Sequence, residues 1–208
     1  RARDSMHLAP LPPHRYDSEV LNEINFEPVA PLKRNSTMSY LLIPVGVIAR
    51  LLPHLPNFTP IGGMALFGAA HGSRRSAFIA PLVALAISDF FIGHHVTMPF
   101  VYASFILIAM VGRVLFRSGV TTTRVIAGSL ASSMILFIVS NFGEWAMGTL
   151  YSPTLQGLVL CYTMALPYLF NTMAGDLFYA GVFFGGYALA NHYGGITAQA
   201  TGGQQATP

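Results

Sequence analysis

Residues 74–93 read RRSAFIAPLVALAISDFFIG: two arginines, then an apolar run in which the first carboxylate is Asp89. Charge is costly inside hydrocarbon, so an apolar run of this length reads as a membrane-spanning helix with ends of opposite sign. The neighbouring sequence is sorted in the same way. Read as helices, the runs between Met38 and Tyr193 carry Lys33 and Arg34, Arg74 and Arg75, and Arg117 and Arg124 at one set of ends. Asp89, Glu144 and Asp176 fall near the other set. Basic loops mark the cytoplasmic side. The expectation is a multispanning protein of the bacterial inner membrane with a polar cluster near its outer face.

The composition agrees. Of the 208 residues, 53% are hydrophobic and only 9% charged, and the mean hydropathy is +0.54. Soluble domains carry about 25% charged residues. The net charge of +3 is assigned to cytoplasmic loops, so no nucleic-acid partner is expected. A lone cysteine, Cys161, excludes an intramolecular disulfide and any multi-cysteine metal site.

Three regions follow from composition. Residues 1–35 hold Pro10, Pro12, Pro13, Pro28 and Pro31 with five acidic and five basic residues, and read as an extended N-terminal arm without an apolar signal-peptide core. Residues 36–192 form the transmembrane helical domain, and residues 193–208 a flexible C-terminal tail. Spans are expected at about Met38–Leu52, from Asn57–Gly63 to Ala70, Ser76–Gly93, Pro99–Phe116, Thr123–Met147 and Thr172–Asn191. The stretch Thr154–Phe170 is apolar but contains Gly157 and Pro167. It reads as a short outer-leaflet segment, because a seventh full span would break the sign sorting. Six spans put both termini in the cytoplasm. The expected fold class is therefore all-α, polytopic, with about six transmembrane helices.

The sharpest local motif is Asn57-Phe58-Thr59-Pro60-Ile61-Gly62-Gly63. Pro60 pre-sets a helix start, Asn57 or Thr59 can cap it, and the glycines permit close backbone approach. A helix N-terminus at membrane depth offers N–H groups to a polar ligand. Ala65 and Ala69, with Gly68 nearby, form a small-residue face suited to helix contact. Asp89, Glu144 and Asp176 have two readings: pairing with Arg50 and the outer histidines, or lining a shared outer cavity that favours a cationic or hydrogen-bond-donating ligand. On the second reading Asn57, Thr59, Asp89, Glu144, Trp145, Asn171 and Asp176 bind a small molecule, and no cofactor is required. His94-His95 has no third ligand at metal spacing, so no metal site is expected. No nucleophile–base order, phosphate loop or paired catalytic carboxylate is present, and enzymatic activity is not expected.

Pro56–Ala70, Ser140-Asn141-Phe142-Gly143, Gly157-Leu158, Cys161-Tyr162, Ala165-Leu166-Pro167 and Asn171-Thr172-Met173-Ala174-Gly175-Asp176 resemble small bacterial membrane proteins related to the substrate-binding (S) components of energy-coupling-factor vitamin transporters. The resemblance covers about residues 38–192. It implies six spans, cytoplasmic termini and a vitamin-sized ligand held near the outer face. Such components commonly couple to a transmembrane partner through an Ala-x-x-x-Ala face on the first helix; here that helix offers Gly46 and Ala49 before Arg50. The other function considered is a non-catalytic accessory subunit of a larger photosynthetic or respiratory membrane complex. There the arm, with apolar anchors such as Leu8, Leu11, Tyr16 and Phe26, would gain order by binding partner subunits. In both readings the lipid bilayer is the principal environment.

Overall fold

The computed structural model describes residues 36–202, with side chains over residues 37–192. Among the described residues the chain is all-helical: α1 (Ser36–Leu51), α2 (Ile61–His71), α3 (Ser76–Ile92), α4 (Met98–Leu115), α5 (Thr122–Met147) and α6 (Leu155–Gly202), with a 3-10 turn at Phe116–Ser118. The arm expected over residues 1–35 lies outside the described residues.

The architecture is organised around α2. Its sequence, IGGMALFGAAH, is small or apolar on every side, and all eleven residues are buried. A helix that is hydrophobic all round must be covered all round. Accordingly α2 touches each of the other five helices. Small residues set how closely they approach. A Cβ on Gly46 of α1 would lie 2.6 Å from Met64 Sδ, and one on Gly63 would lie 3.1 Å from the backbone nitrogen of Ala180 in α6. Ala65 and Ala69 are likewise buried. These small residues are consumed by packing within the chain.

Side-chain contacts fix the helix directions. Ser39 near the start of α1, Gly72 after α2 and Ser76 at the start of α3 meet at one end. Arg50 near the end of α1, Asp89 near the end of α3 and Tyr102 near the start of α4 meet at the other. Phe58 packs on Gly175 of α6, whereas Phe67 and His71 at the far end of α2 stack among Phe183, Phe184 and Tyr187. α6 therefore runs alongside α2 in the same direction and antiparallel to α5, which it meets through Tyr162–Ile138 and Asp176–Ser133.

Three segments are long and apolar enough to cross a membrane: Met98–Ser118, Thr122–Met147 and Leu155–His192. Three shorter apolar helices, Thr37–Leu51, Ile61–His71 and Ser76–Ile92, complete the bundle. With 11 residues, α2 is only about 16 Å long, well short of a bilayer's hydrocarbon layer of about 30 Å. The helix itself is covered by protein on every side, whereas residues 51–57 leading into it are exposed. The outer surfaces of the long helices present Val114, Ile126, Ile138, Val159, Phe170 and Val182 to the surroundings.

Two expectations need correction. Thr154–Phe170 is not a separate outer segment, because Leu155–Gly202 is one continuous helix with Pro167 inside it. The residues read as breaks act otherwise. Thr154 Oγ1 accepts from Gly157 N at 3.1 Å and caps the first turn. Pro167 lies within a helix already held to α5 by Cys161, Tyr162 and Asp176. The same helix continues into the region read as a flexible tail, to Gly202. The second correction concerns the start of α2. Neither Asn57 nor Thr59 caps it; Pro60 occupies the N-cap position with no side-chain cap bond. Asn57 instead takes the left-handed conformation, φ 64°, which asparagine tolerates better than most residues. Phe58 N then donates to Leu55 O at 3.0 Å, and Thr59 N to Asn57 O at 3.2 Å.

Candidate functional site

The polar residues named from the sequence fall into separate groups. At the ends of α1 and α3, Arg50 Nη2 donates to Asp89 Oδ1 at 2.8 Å, and the Tyr102 hydroxyl donates to Asp89 Oδ2 at 3.0 Å. The Asp89 side chain is 3% exposed and that of Arg50 14%. Both carboxylate oxygens are thus engaged within the chain. Burial without such partners would be prohibitive for an ion, so Asp89 reads as the anchor of a structural pair, the first of the two readings offered by the sequence, with Arg50 Nη1 buried and without a hydrogen-bond partner.

The second group surrounds Asp176. Its carboxyl group is buried in α6 and accepts a hydrogen bond from Ser133 Oγ of α5 at 2.8 Å. Ser132 Oγ and the Asp176 carboxyl both crowd the Cα of Gly62 in the first turn of α2: a Cβ there would lie 2.7 Å from each of Ser132 Oγ and Asp176 Cγ. A helix N-terminus favours neighbouring negative charge. One residue earlier, Gly175 lets the Asn57–Pro60 loop settle on α6, since a Cβ on Gly175 would lie 3.1 Å from Phe58 Cα. The Asn57-to-Gly63 motif is therefore a docking element for Gly175 and Asp176.

Next to this group α5 and α6 enclose a cavity of about 70 Å³ lined by Asn57, Leu136, Phe137, Ser140, Asn141, Ala165, Tyr168, Leu169 and Thr172. Helical spacing accounts for the alignment. Ser133, Phe137, Ser140 and Asn141 recur at intervals of three and four on α5, and Thr172 stands one turn before Asp176 on α6. Asn57 is exposed and stands at the mouth. Ser140 Oγ donates to Leu136 O at 2.6 Å, Asn141 Nδ2 to Phe137 O at 2.7 Å, and Thr172 Oγ1 to Tyr168 O at 2.7 Å.

Of the residues named from sequence, Asn57 lines this cavity and Asp176 lies one turn beyond Thr172. Asp89 belongs to the Arg50 pair. Thr59 is half-buried in the loop and Asn171 half-buried beside Thr172; neither lines the cavity. Trp145 Nε1 donates to Ser152 O at 3.1 Å in the α5–α6 loop. Glu144 is half-buried, close to Gly148. In that loop the Tyr151 phenol is pushed above its ordinary pKa, first by desolvation and then by the neighbouring Cys161 thiol and Glu144 carboxyl. Ser133, Ser140 and Thr172 are polar groups of this region that the sequence motifs do not single out as ligand-binding. For the two serines the signal is the spacing of Ser129, Ser132, Ser133 and Ser140 within an otherwise apolar run, which marks one polar face of α5; Thr172 on α6 has no such signal. Among the described residues no group of three or more His, Cys, Asp or Glu side chains could hold a metal ion.

Neither the curated proteins nor the solved structures contain a match to this chain. A family model does match, over residues 31–198, most of the sequence. The chain thus belongs to the DUF6580 family, described as a family of unknown function.

Proposed function

We propose that the chain is a six-span inner-membrane protein, both termini cytoplasmic, that binds a small molecule in the manner of an energy-coupling-factor S component. The observation that carries this reading is the convergence of Asn57, Ser140, Asn141 and Thr172 on a cavity between α5 and α6. Ser140, Asn141 and Thr172 each give a donor to a backbone carbonyl one turn back, and their oxygens keep lone pairs for a ligand. The sequence resemblance and the placement of Arg74 and Arg75 at the opposite end of α3 from Asp89 support the topology. At about 70 Å³ the cavity is far below the roughly 300–1,000 Å³ of pockets that enclose drug-sized ligands. On this reading a vitamin-sized molecule enters only after α5 and α6 separate at the Asn57 end. Native mass spectrometry of the purified chain tests the proposal: a co-purifying molecule should be lost from Ala165→Leu, which fills the cavity, and kept by the exposed-site control Leu189→Ala. Retention in Ala165→Leu would remove the cavity from the argument.

The same small volume favours a second reading, a non-catalytic accessory subunit of a larger photosynthetic or respiratory membrane complex, with residues 1–35 holding the partners. Deleting residues 1–35 should then release an intact helical domain from its native assembly, seen as a shift on native gels. An unchanged migration would sink this alternative.

A further inference from the structure

We infer that the α5–α6 cavity takes a neutral group that donates and accepts hydrogen bonds together, of the carboxamide or lactam class; this deepens, and rests on, the reading of the cavity as a ligand site. The polar lining mixes the two roles. A hydroxyl has one proton to give and two lone pairs. Ser140 and Thr172 have each given that proton to a backbone carbonyl one turn back, so what remains on their oxygens is accepting capacity. The Tyr168 hydroxyl and the Asn57 amide, also in the lining, belong to groups that donate as well as accept. Asn141 offers both at one residue: one amide N–H goes to Phe137 O, which leaves the second N–H and the amide oxygen.

Charge decides among ligand classes. Among the described residues, no charged side chain lines the cavity. The Asp176 carboxyl group, one turn along α6 from Thr172, is turned instead to Ser133 and to the first turn of α2. An anion would find donors without a counter-charge, and a cation would find acceptors without one. Burying an unpaired charge costs far more than burying a neutral group whose hydrogen bonds are met. A ligand that only accepts would leave Ser140 and Thr172 unanswered, and one that only donates would leave the second N–H of Asn141 unanswered. A carboxamide carries N–H and C=O side by side and answers both. Leu136, Phe137, Ala165 and Leu169 complete the lining and supply the apolar walls usual in small-molecule sites. The volume of about 70 Å³ suits a compact amide or the amide end of a larger molecule.

The test uses the full chain in lipid nanodiscs and four probes of nearly the same shape, followed by saturation-transfer NMR titration: acetamide, acetone, acetate and acetamidinium. Acetamide should bind, and Ala165→Leu, which fills the cavity, should abolish its binding. Acetone accepts without donating, while acetate and acetamidinium bring a charge; each should bind at least tenfold more weakly. Asn141→Leu and Thr172→Val should each weaken acetamide about fivefold, the effect of one neutral hydrogen bond. Thr172→Ser, which keeps the hydroxyl, should bind as the native chain does, and this pair decides the matter if Asn141→Leu does not fold. Equal or tighter binding of acetone, acetate or acetamidinium, or acetamide binding that survives Ala165→Leu, would overturn the inference. A co-purifying molecule that is lost in Ala165→Leu and carries no amide-type group would keep the binding function while discarding the amide. Absence of any co-purifying molecule together with no binding of acetamide would discard both.

Discussion

The Asp176 carboxyl group occupies the space that a side chain on Gly62 would need, with its Cγ 2.7 Å from where a Gly62 Cβ would lie. One glycine and one aspartate thereby fix how α2 seats against α6, and Ser133 ties the same carboxyl group to α5. Gly62→Ala should destabilise the fold by about 1–3 kcal/mol, the ordinary cost of overpacking a well-filled interior. Combining it with Asp176→Ala should recover part of that loss, because the two sites share one space and their effects cannot add. Thermal unfolding in detergent checks this; strict additivity would mean that the two residues do not compete.

Arg50 and Asp89 form a nearly enclosed ion pair. Removing one member leaves the other charge without its partner, and Arg50→Met alone should cost about 3–5 kcal/mol. The double variant Arg50→Met with Asp89→Leu should cost less than either single change. Denaturant melts of the three variants decide it, and a double variant worse than both singles would show that the pair contributes net stability.

Ser133 Oγ lies 2.8 Å from Asp176 Oδ2 and 3.0 Å from Ser129 O, so its one proton is shared between two buried acceptors. Ser133→Ala should cost about 1–3 kcal/mol, since a buried acceptor loses its partner. Ser133→Thr, which keeps the donor, should cost less. Equal losses in the two variants would assign the effect to packing alone.

Membrane topology can be read by labelling. Cys161 is buried and its thiol donates to Asn141 O at 3.4 Å, so the native chain should resist an impermeant maleimide until unfolded. Ser73→Cys and Val96→Cys, at opposite ends of α3, should label from opposite faces of the membrane. Labelling of both from one side would refute the six-span topology.

Element identity was largely legible from the chain, because cost in hydrocarbon is a local property. The run from Ser76, closed by Gly93, ends where expected, at Ile92, and the run reaching Met147 forms one helix from Thr122. Pro167 misled for the same reason. A proline removes one local hydrogen bond, but whether the helix breaks depends on what holds its two sides, and here α5 does so through Tyr162 and Asp176.

The sequence by itself determined that the segments are helical and apolar; it read six of them as spans, whereas three are long and apolar enough to cross a membrane and three are shorter. Helicity and apolarity follow from residue type and spacing along one strand of chain. Only the tertiary structure decided that α2 is enclosed by five helices, that Asp89 is neutralised by Arg50, and that Asp176 meets Gly62 and Ser133. The Asn57 motif, Ser133 and Asp176 are distant in sequence, and no local preference encodes their meeting. They come together because the small residues of α2 let neighbouring backbones close around it, and that closure leaves the α5–α6 cavity where it is.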